Sequence, residues 1–327
     1  MRSELSQAGR LAIALLVLTG CQGANLYLGD GKSRAGTGAA AGMGDAAGMG
    51  AAAGMSAVDG GSSEDAGLAI PTFGEPQVIA ELSVGDKPDD DPSLSEDSLV
   101  LCFNSKREGG QGKEDIWCAG RSRTDEPWSE PQRLTALNSA ERETGVALSA
   151  DGLKLWFSSD RDGSSGGLDV YASSRESRDA DWTVPERIAE LSTEGDDLVS
   201  SIDGTGRTLV LSRRDDDDDD YDIYTATRTS PYEHWQPPVP IAEVNSDAEE
   251  SDGFLVGSGL ELIFTRDEDL VLARRAQLDA PFDRGEPLTA LNSEHDDRDA
   301  WADSMLSYVV FSSDRSGSYH LYEASRL

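Results

Sequence analysis

The sequence has few residues of the kinds that build metal, thiol and disulfide sites. Among its 327 residues there are three cysteines and three histidines. The cysteines, Cys21, Cys102 and Cys118, are too few for a disulfide scaffold and lack the paired spacing of a zinc site. The histidines are scattered, with no second ligand at metal-binding spacing. We therefore expect neither a metal enzyme nor a thiol enzyme, and no cofactor.

Basic residues are also scarce. Lys and Arg number 28 against 62 Asp and Glu, which gives a formal net charge of −34. Such a charge repels phosphate backbones and anionic lipid headgroups. We therefore expect no nucleic-acid partner and no direct lipid binding by the folded part. The acidity either keeps the protein soluble or selects cations and partners with a basic surface.

The apolar run near the N-terminus covers only residues 11–18. It is too short to span a bilayer and suits the core of a signal peptide. It leads into Leu-Thr-Gly-Cys, ending at Cys21, which resembles the lipobox of bacterial lipoproteins. The resemblance implies a lipidated Cys21 and an outer-membrane lipoprotein on the periplasmic or cell-surface side. The alternative is an ordinary signal peptide with an incidental cysteine.

Large apolar side chains are few in the segment after Cys21, which is mainly Gly, Ala, Ser and Met. Such a segment cannot bury enough surface to offset the entropy of ordering its backbone. We predict a signal peptide over residues 1–20, a lipidated N-terminus with a disordered linker over residues 21–70, and one folded domain over residues 71–327.

The folded domain is built from a repeat of about fifty residues. Alternation of apolar and polar residues, clearest in residues 153–161, predicts strands, and no window of the repeat carries a competing helical period. Each copy supplies four strands, including a short one after an aromatic residue, as at residues 79–82 and 134–137. Four strands at this spacing are typical of propeller blades.

The ends of the domain predict how the ring closes. The chain enters with an orphan fourth strand, residues 73–82, and ends after a third strand. We predict an all-β fold, a single β-propeller of five four-stranded blades, in which the N-terminal strand completes the last blade and removes the open edges.

The best copy of the repeat, LSADGLKLWFSSDR at residues 148–161 followed by Asp169-Val170-Tyr171, resembles the TolB-type, WD-repeat-like propeller. The resemblance covers residues 73–327, although the third copy lacks the Phe and the fifth lacks the Asp-Gly turn. It implies an interaction scaffold and supplies no catalytic residues. We expect a monomer that binds an unknown envelope protein or another ligand.

One acidic residue recurs in every copy, fourteen residues before the Phe-equivalent position: Asp89, Glu143, Asp197, Glu250 and Asp297. We expect these acids around one mouth of the central channel. They either bind backbone amides or an arginine of a neighbouring blade, or form a surface that attracts cations or a basic partner. The six aspartates at residues 215–220 are interpreted as a solvated hairpin tip that takes up calcium at most weakly.

An enzymatic alternative stays open, because five-bladed propellers also house glycoside hydrolases. Such an enzyme needs an acid and a base at a defined separation beside aromatic rings. Trp156 and Trp301 could stack on sugars, but the acids recur at one repeat position, as structural groups do. We therefore expect a binding protein that is not an enzyme, with a glycoside hydrolase or carbohydrate-binding propeller as the alternative.

Cys102 and Cys118 fall on adjacent strands of the first blade. Whether they pair depends on the strand register. A disulfide formed in an oxidising compartment and two buried free thiols both remain open at this point.

Overall fold

The computed structural model describes residues 69–215 and 220–327. They form twenty β-strands in five antiparallel four-stranded sheets, which confirms the predicted all-β propeller. Within these two ranges no helix is long and apolar enough to cross a membrane. The predicted signal peptide, Cys21 and nearly all of the linker lie outside the described residues.

Each blade contains four strands in the same order, and the last blade takes its fourth strand from the start of the domain. The first strands are Asp89–Leu94 (β2), Glu143–Leu148 (β6), Asp196–Ile202 (β10), Glu250–Val256 (β14) and Asp297–Ala302 (β18). The second strands are Val100–Ser105 (β3), Lys154–Ser159 (β7), Thr208–Arg214 (β11), Glu261–Arg266 (β15) and Tyr308–Ser313 (β19). The third strands are Asp115–Gly120 (β4), Asp169–Ser174 (β8), Asp222–Thr227 (β12), Asp269–Arg274 (β16) and His320–Ser325 (β20). The fourth strands are Gln132–Arg133 (β5), Glu186–Arg187 (β9), Val239–Pro240 (β13), Glu286–Pro287 (β17) and Gln77–Val78 (β1).

The five first strands surround the axis of the propeller. Each contacts the first strand of the next blade, and β18 of the last blade contacts β2 of the first. Strand β1 pairs with β20, with Gln77 opposite Glu323, so the N-terminal strand completes the fifth blade as predicted. This pairing joins the two ends of the domain and gives the fifth blade the same number of strands as the other four.

The hydrophobic core is divided into five clusters, one between each pair of neighbouring blades. Between blades 1 and 2, for example, Ile116 of β4 packs with Leu155 and Phe157 of β7. A blade alone would leave these side chains in water, since neither face of a single sheet is covered. The ring is therefore the smallest unit that buries the apolar positions of the repeat.

The fourth strands are shorter than the sequence predicts, with two residues each. The predicted short strands at residues 79–82 and 134–137 are turns instead, in which Leu82 and Leu137 are fully buried. The turn is closed by a backbone hydrogen bond, in which the amide of Leu137 donates to the carbonyl of Leu134. The apolar spacing reflects anchoring of a turn in the core, which a period-two pattern does not distinguish from a strand.

Candidate functional site in the central channel

The five repeated acids, called the ring acids below, lie at or next to the start of each first strand. All five are fully buried: Asp89, Glu143, Asp197, Glu250 and Asp297. The mouth of the channel holds a cavity, described below, and none of the five acids is among the described residues that line it. Ligand access to these carboxylates would therefore require the blade to open.

Each ring acid forms an ion pair with an arginine at or just beyond the end of the second strand. Arg161 Nη2 lies 2.9 Å from Glu143 Oε1, and Arg266 Nε lies 2.7 Å from Glu250 Oε1. The expectation of an arginine from a neighbouring blade is wrong, because each pair lies within one blade. The same arginine reaches across to the preceding turn, as Arg161 does by donating to the carbonyl of Leu137. The pairs thus hold each blade to the connection that enters it.

A second set of acids lies two residues further along the first strands. Asp91, Asp252 and Asp299, called the axial aspartates below, belong to blades 1, 4 and 5. The equivalent residues of blades 2 and 3 are Gly145 and Val199. Unlike the ring acids, a carboxylate at this position is therefore present in only some of the blades.

A β-bulge accompanies each axial aspartate. The pairing register of the first strand shifts between Asp90 and Ser93 in blade 1, and at the corresponding place in blades 4 and 5. The axial aspartates have φ angles of 52°, 56° and 55°, in the left-handed region that aspartate tolerates better than most residues. Such a bulge changes the direction of a side chain relative to a regular strand.

The axial aspartates converge. One carboxylate oxygen from each of Asp91, Asp252 and Asp299 lies within 4.8 Å of the other two. Two full charges at that distance repel by about 3.5 kcal/mol at the effective dielectric constant of about 20 that suits protein sites. Three ionised carboxylates at this place therefore require protons or a cation to offset their repulsion.

The basic residue beside the axial aspartates, Arg298, is shared among several acids. Arg298 of β18 places Nε 3.3 Å from Asp299 Oδ2 and Nη2 3.1 Å from Asp90 Oδ2, while Nη1 lies 3.7 Å from Asp296. Burial raises the pKa of Asp90, and burial together with Asp252 raises the pKa of Asp91 and, to well above its usual value, that of Asp299. One arginine thus does not balance this group of acids.

The mouth of the channel beside the axial aspartates is a polar cavity of about 240 Å³. Its charged lining comprises six carboxylates and three basic groups: Asp90, Asp91, Glu114, Glu249, Asp252, Asp299, Lys106, Arg142 and Arg298. Burial raises the pKa values of Glu114 and Glu249 as well. We refer to this cavity as the acidic mouth.

The opposite end of the channel has different chemistry. A cavity of about 110 Å³ is lined there by Leu94, Leu148, Phe254 and Trp301, with a few polar residues. The rings of Phe254 and Trp301 contact each other, with centroids 6.1 Å apart. The channel is therefore acidic at one end and largely apolar at the other.

The axial aspartates were missed by sequence reasoning. It selected the acid present in all five copies, whereas the axial position carries Asp in three. A signal was present in the sequence, since Asp91, Asp252 and Asp299 each stand two residues after a ring acid. Their convergence depends on ring closure and on the bulges, which a one-dimensional repeat does not specify.

Cys102 and Cys118 lie directly opposite each other on β3 and β4, and a disulfide joins them. Cys102 is fully buried in the cluster between blades 1 and 2. Trp156, one of the two predicted sugar-stacking residues, is also buried, between blades 2 and 3. Of the six aspartates at residues 215–220, four lie outside the described residues.

No family model matches the chain, and no curated protein does. Solved structures with a similar fold include TolB from Acinetobacter baumannii, at 14% identity and a TM-score of 0.42, with 75% of this chain covered. The match spans 56% of that TolB chain. A putative TolB from Agrobacterium tumefaciens matches at 14% identity and a TM-score of 0.46, over 75% of this chain and 78% of the other.

A glycoside hydrolase is among the similar structures as well. The catalytic domain of the GH62 α-L-arabinofuranosidase from Coprinopsis cinerea matches at 10% identity and a TM-score of 0.49, over 78% of this chain and 97% of the other. Identities and scores at this level do not transfer a function between proteins that share a propeller. Function must therefore be argued from the residues of the channel.

Proposed function

We propose that the chain is a cell-envelope lipoprotein whose propeller binds a positively charged ligand, such as a basic segment of a protein partner, at the acidic mouth. The observation that carries this proposal is the imbalance of six carboxylates and three basic groups around one cavity. The ligand would supply the positive charge that the lining lacks.

The acidic mouth offers both outer and inner contacts for such a ligand. Glu249 is exposed at the rim, where a lysine or arginine side chain can reach it from solvent. Asp91 and Asp252 lie deeper and are half-buried. A charged hydrogen bond in a partly buried place is stronger than one at the open surface, so the inner carboxylates would add affinity after the rim attracts the ligand.

The ring acids have a structural part in this proposal. Because Glu143 and its four equivalents are buried and paired with arginine, they fix the first strands that present the mouth. The sequence offered the ring acids as a surface that attracts cations. We assign that role to the carboxylates of the acidic mouth instead.

A glycoside hydrolase is the second candidate, because the axial carboxylates are not repeated in every blade. Glycosidases place their two carboxyl groups about 5–5.5 Å or about 6.5–9.5 Å apart, in environments that give them different pKa values. Here burial moves the pKa values of Asp91 and Asp299 in the same direction. Trp301 lines the opposite end of the channel. This arrangement favours a binding site over an acid and base pair.

The binding proposal is tested with a lysine-rich peptide titrated into the purified protein by calorimetry. We expect saturable binding that weakens as salt rises, and an affinity several-fold lower for Glu249→Gln. Asp279→Asn, in the exposed loop between β16 and β17, removes one charge away from the mouth and serves as the control. Equal affinities for the parent and both variants would place the peptide elsewhere. Turnover of aryl glycosides, lost in Asp252→Asn, would establish the hydrolase instead.

Envelope anchoring is tested separately at Cys21. We expect mass spectrometry of the membrane-fraction protein to find a mature N-terminus at Cys21 that carries acyl chains. Cys21→Ala should leave the protein without this anchor and release it from the membrane fraction. An unlipidated protein in the soluble fraction would refute anchoring without affecting the binding proposal.

A further inference from the structure

One axial aspartate, Asp91, is held by neutral donors from a neighbouring blade. Asp91 Oδ2 accepts hydrogen bonds from the hydroxyl of Thr144, at 2.9 Å, and from the amide of Gly145, at 2.8 Å. Both donors belong to β6 of blade 2. They fix the carboxylate and leave its second oxygen for another contact, as groups behind a metal ligand do.

Two further oxygen atoms at the acidic mouth point to a ligand. Asn104 is fully buried and lines the cavity, and its Oδ1 has no hydrogen-bond partner among the described residues. Asp90 is 6% exposed, and its Oδ1 also lacks a partner within that part of the chain, although Oδ2 contacts Arg298. Buried acceptors normally have a donor, so these two atoms indicate water molecules or an ion that the cavity holds.

We propose that Asp91, Asp252 and Asp299 bind one calcium ion on the propeller axis, and that Asn104 and Asp90 accept hydrogen bonds from its water molecules. Oxygen ligands lie about 2.3–2.6 Å from calcium, so two on opposite sides are about 4.6–5.2 Å apart. The axial oxygens lie within 4.8 Å of one another, which is close enough for one ion of this size to contact all three.

Magnesium fits less well. Its oxygen ligands lie about 2.0–2.1 Å from the ion, it demands near-ideal octahedral geometry, and it gives up its water molecules reluctantly. Calcium accepts six to eight oxygens in flexible arrangements. Carboxylates from three different blades, completed by water in the open mouth, meet that requirement. The ion would also join blades 1, 4 and 5 across the channel.

This inference rests on the proposed function only in that both use the acidic mouth. A bound calcium ion would neutralise part of the charge that attracts a basic segment. Calcium and the lysine-rich peptide would therefore weaken each other's binding, as linkage requires.

Calcium chloride titrated by calorimetry into the EDTA-treated, dialysed protein tests the inference. We expect one ion per chain, selectivity over magnesium, and at least tenfold weaker binding in Asp252→Asn, with Asp279→Asn unchanged. Because Asn has the shape of Asp and removes a repelling charge, the variant should fold. Thermal unfolding is a second measurement, in which calcium should raise the Tm of the parent but not that of Asp252→Asn.

Two outcomes would overturn the calcium site. One is a lack of saturable binding up to millimolar calcium, and the other is parent-like affinity in both Asp252→Asn and Asp299→Asn. Replacement of all six aspartates at residues 215–220 by Asn should leave the ion bound, and loss of binding there would move the site to that hairpin. Peptide binding that persists without calcium binding would refute the ion alone, and calcium binding without peptide binding would refute the basic ligand alone.

Discussion

The ring acids and the axial aspartates lie two residues apart on the same strands, yet they have opposite surroundings. Each ring acid is fully buried and has its own arginine, as Glu143 has Arg161. The three axial aspartates lie within 4.8 Å of one another beside Arg298, whose guanidinium also contacts Asp90. Charge is balanced blade by blade in the first set and left unbalanced in the second.

The difference shows how a repeat separates structural groups from ligand-binding ones. A group that every blade needs for its own packing recurs in every blade, and its partner recurs with it. A group that serves the shared axis is needed only where the blades together require it. Blades 2 and 3 therefore carry Gly145 and Val199 at the axial position, and Val199 packs in the core between those blades.

The largest expected effect comes from breaking a ring pair. Arg161→Ala should lower the free energy of unfolding by about 3–5 kcal/mol, because it leaves the Glu143 carboxylate buried without its cation. Denaturant unfolding measures the change. Arg123→Ala is the control, since Arg123 pairs with Asp125 at the exposed surface and its loss should change stability far less. Similar losses for both variants would remove the contrast between buried and exposed pairs.

Replacement of an axial aspartate should change the free energy of unfolding in the opposite direction. In calcium-free buffer near neutral pH, Asp299→Asn should raise the free energy of unfolding, because burial and the charges of Asp252 and Asp91 disfavour the ionised form of Asp299. Denaturant unfolding in EDTA measures this. A loss of stability instead would mean that the axial carboxylates are balanced within the protein.

The pH dependence of that gain follows from the sign of the pKa shift. The folded-state pKa of Asp299 lies well above 3.8, so the parent loses stability as pH rises from the unfolded pKa through the folded one. Asn resembles the protonated form at every pH. The advantage of Asp299→Asn should therefore be small near pH 4 and grow as pH rises. A constant difference across that range would exclude titration of Asp299 as its cause.

Sequence reasoning recovered what each copy of the repeat encodes. The five blades, the closing strand and the ring acids follow from alternation and spacing that recur about every fifty residues. The fourth strands were misread, because Leu82 and Leu137 anchor turns and local apolar spacing does not reveal that. The predicted pairing of each ring acid with an arginine of a neighbouring blade is wrong. The sequence does not show whether an arginine side chain contacts its own blade or the next one.

The axial site was beyond that reasoning for a physical reason. Asp91 lies in blade 1, whereas Asp252 and Asp299 lie in blades 4 and 5, and only the closed ring brings them together. Their direction is set by bulges with positive φ, which depend on the pairing between β2 and β3 and its equivalents. The uncompensated oxygens of Asn104 and Asp90 are likewise visible only once burial is known.

The smallest expected effect comes from Thr144, and it tests whether this residue positions Asp91 as a calcium ligand. Thr144→Val removes the hydroxyl that donates to Asp91 Oδ2 and keeps the shape of the side chain. Stability in calcium-free buffer should fall by about 1 kcal/mol, the usual net value of one hydrogen bond. Calcium affinity should fall about tenfold, as it does when a group that orients a metal ligand is lost. If calcium affinity stays at the parent value while stability falls, the hydroxyl serves packing between blades 1 and 2 and does not position Asp91 for an ion.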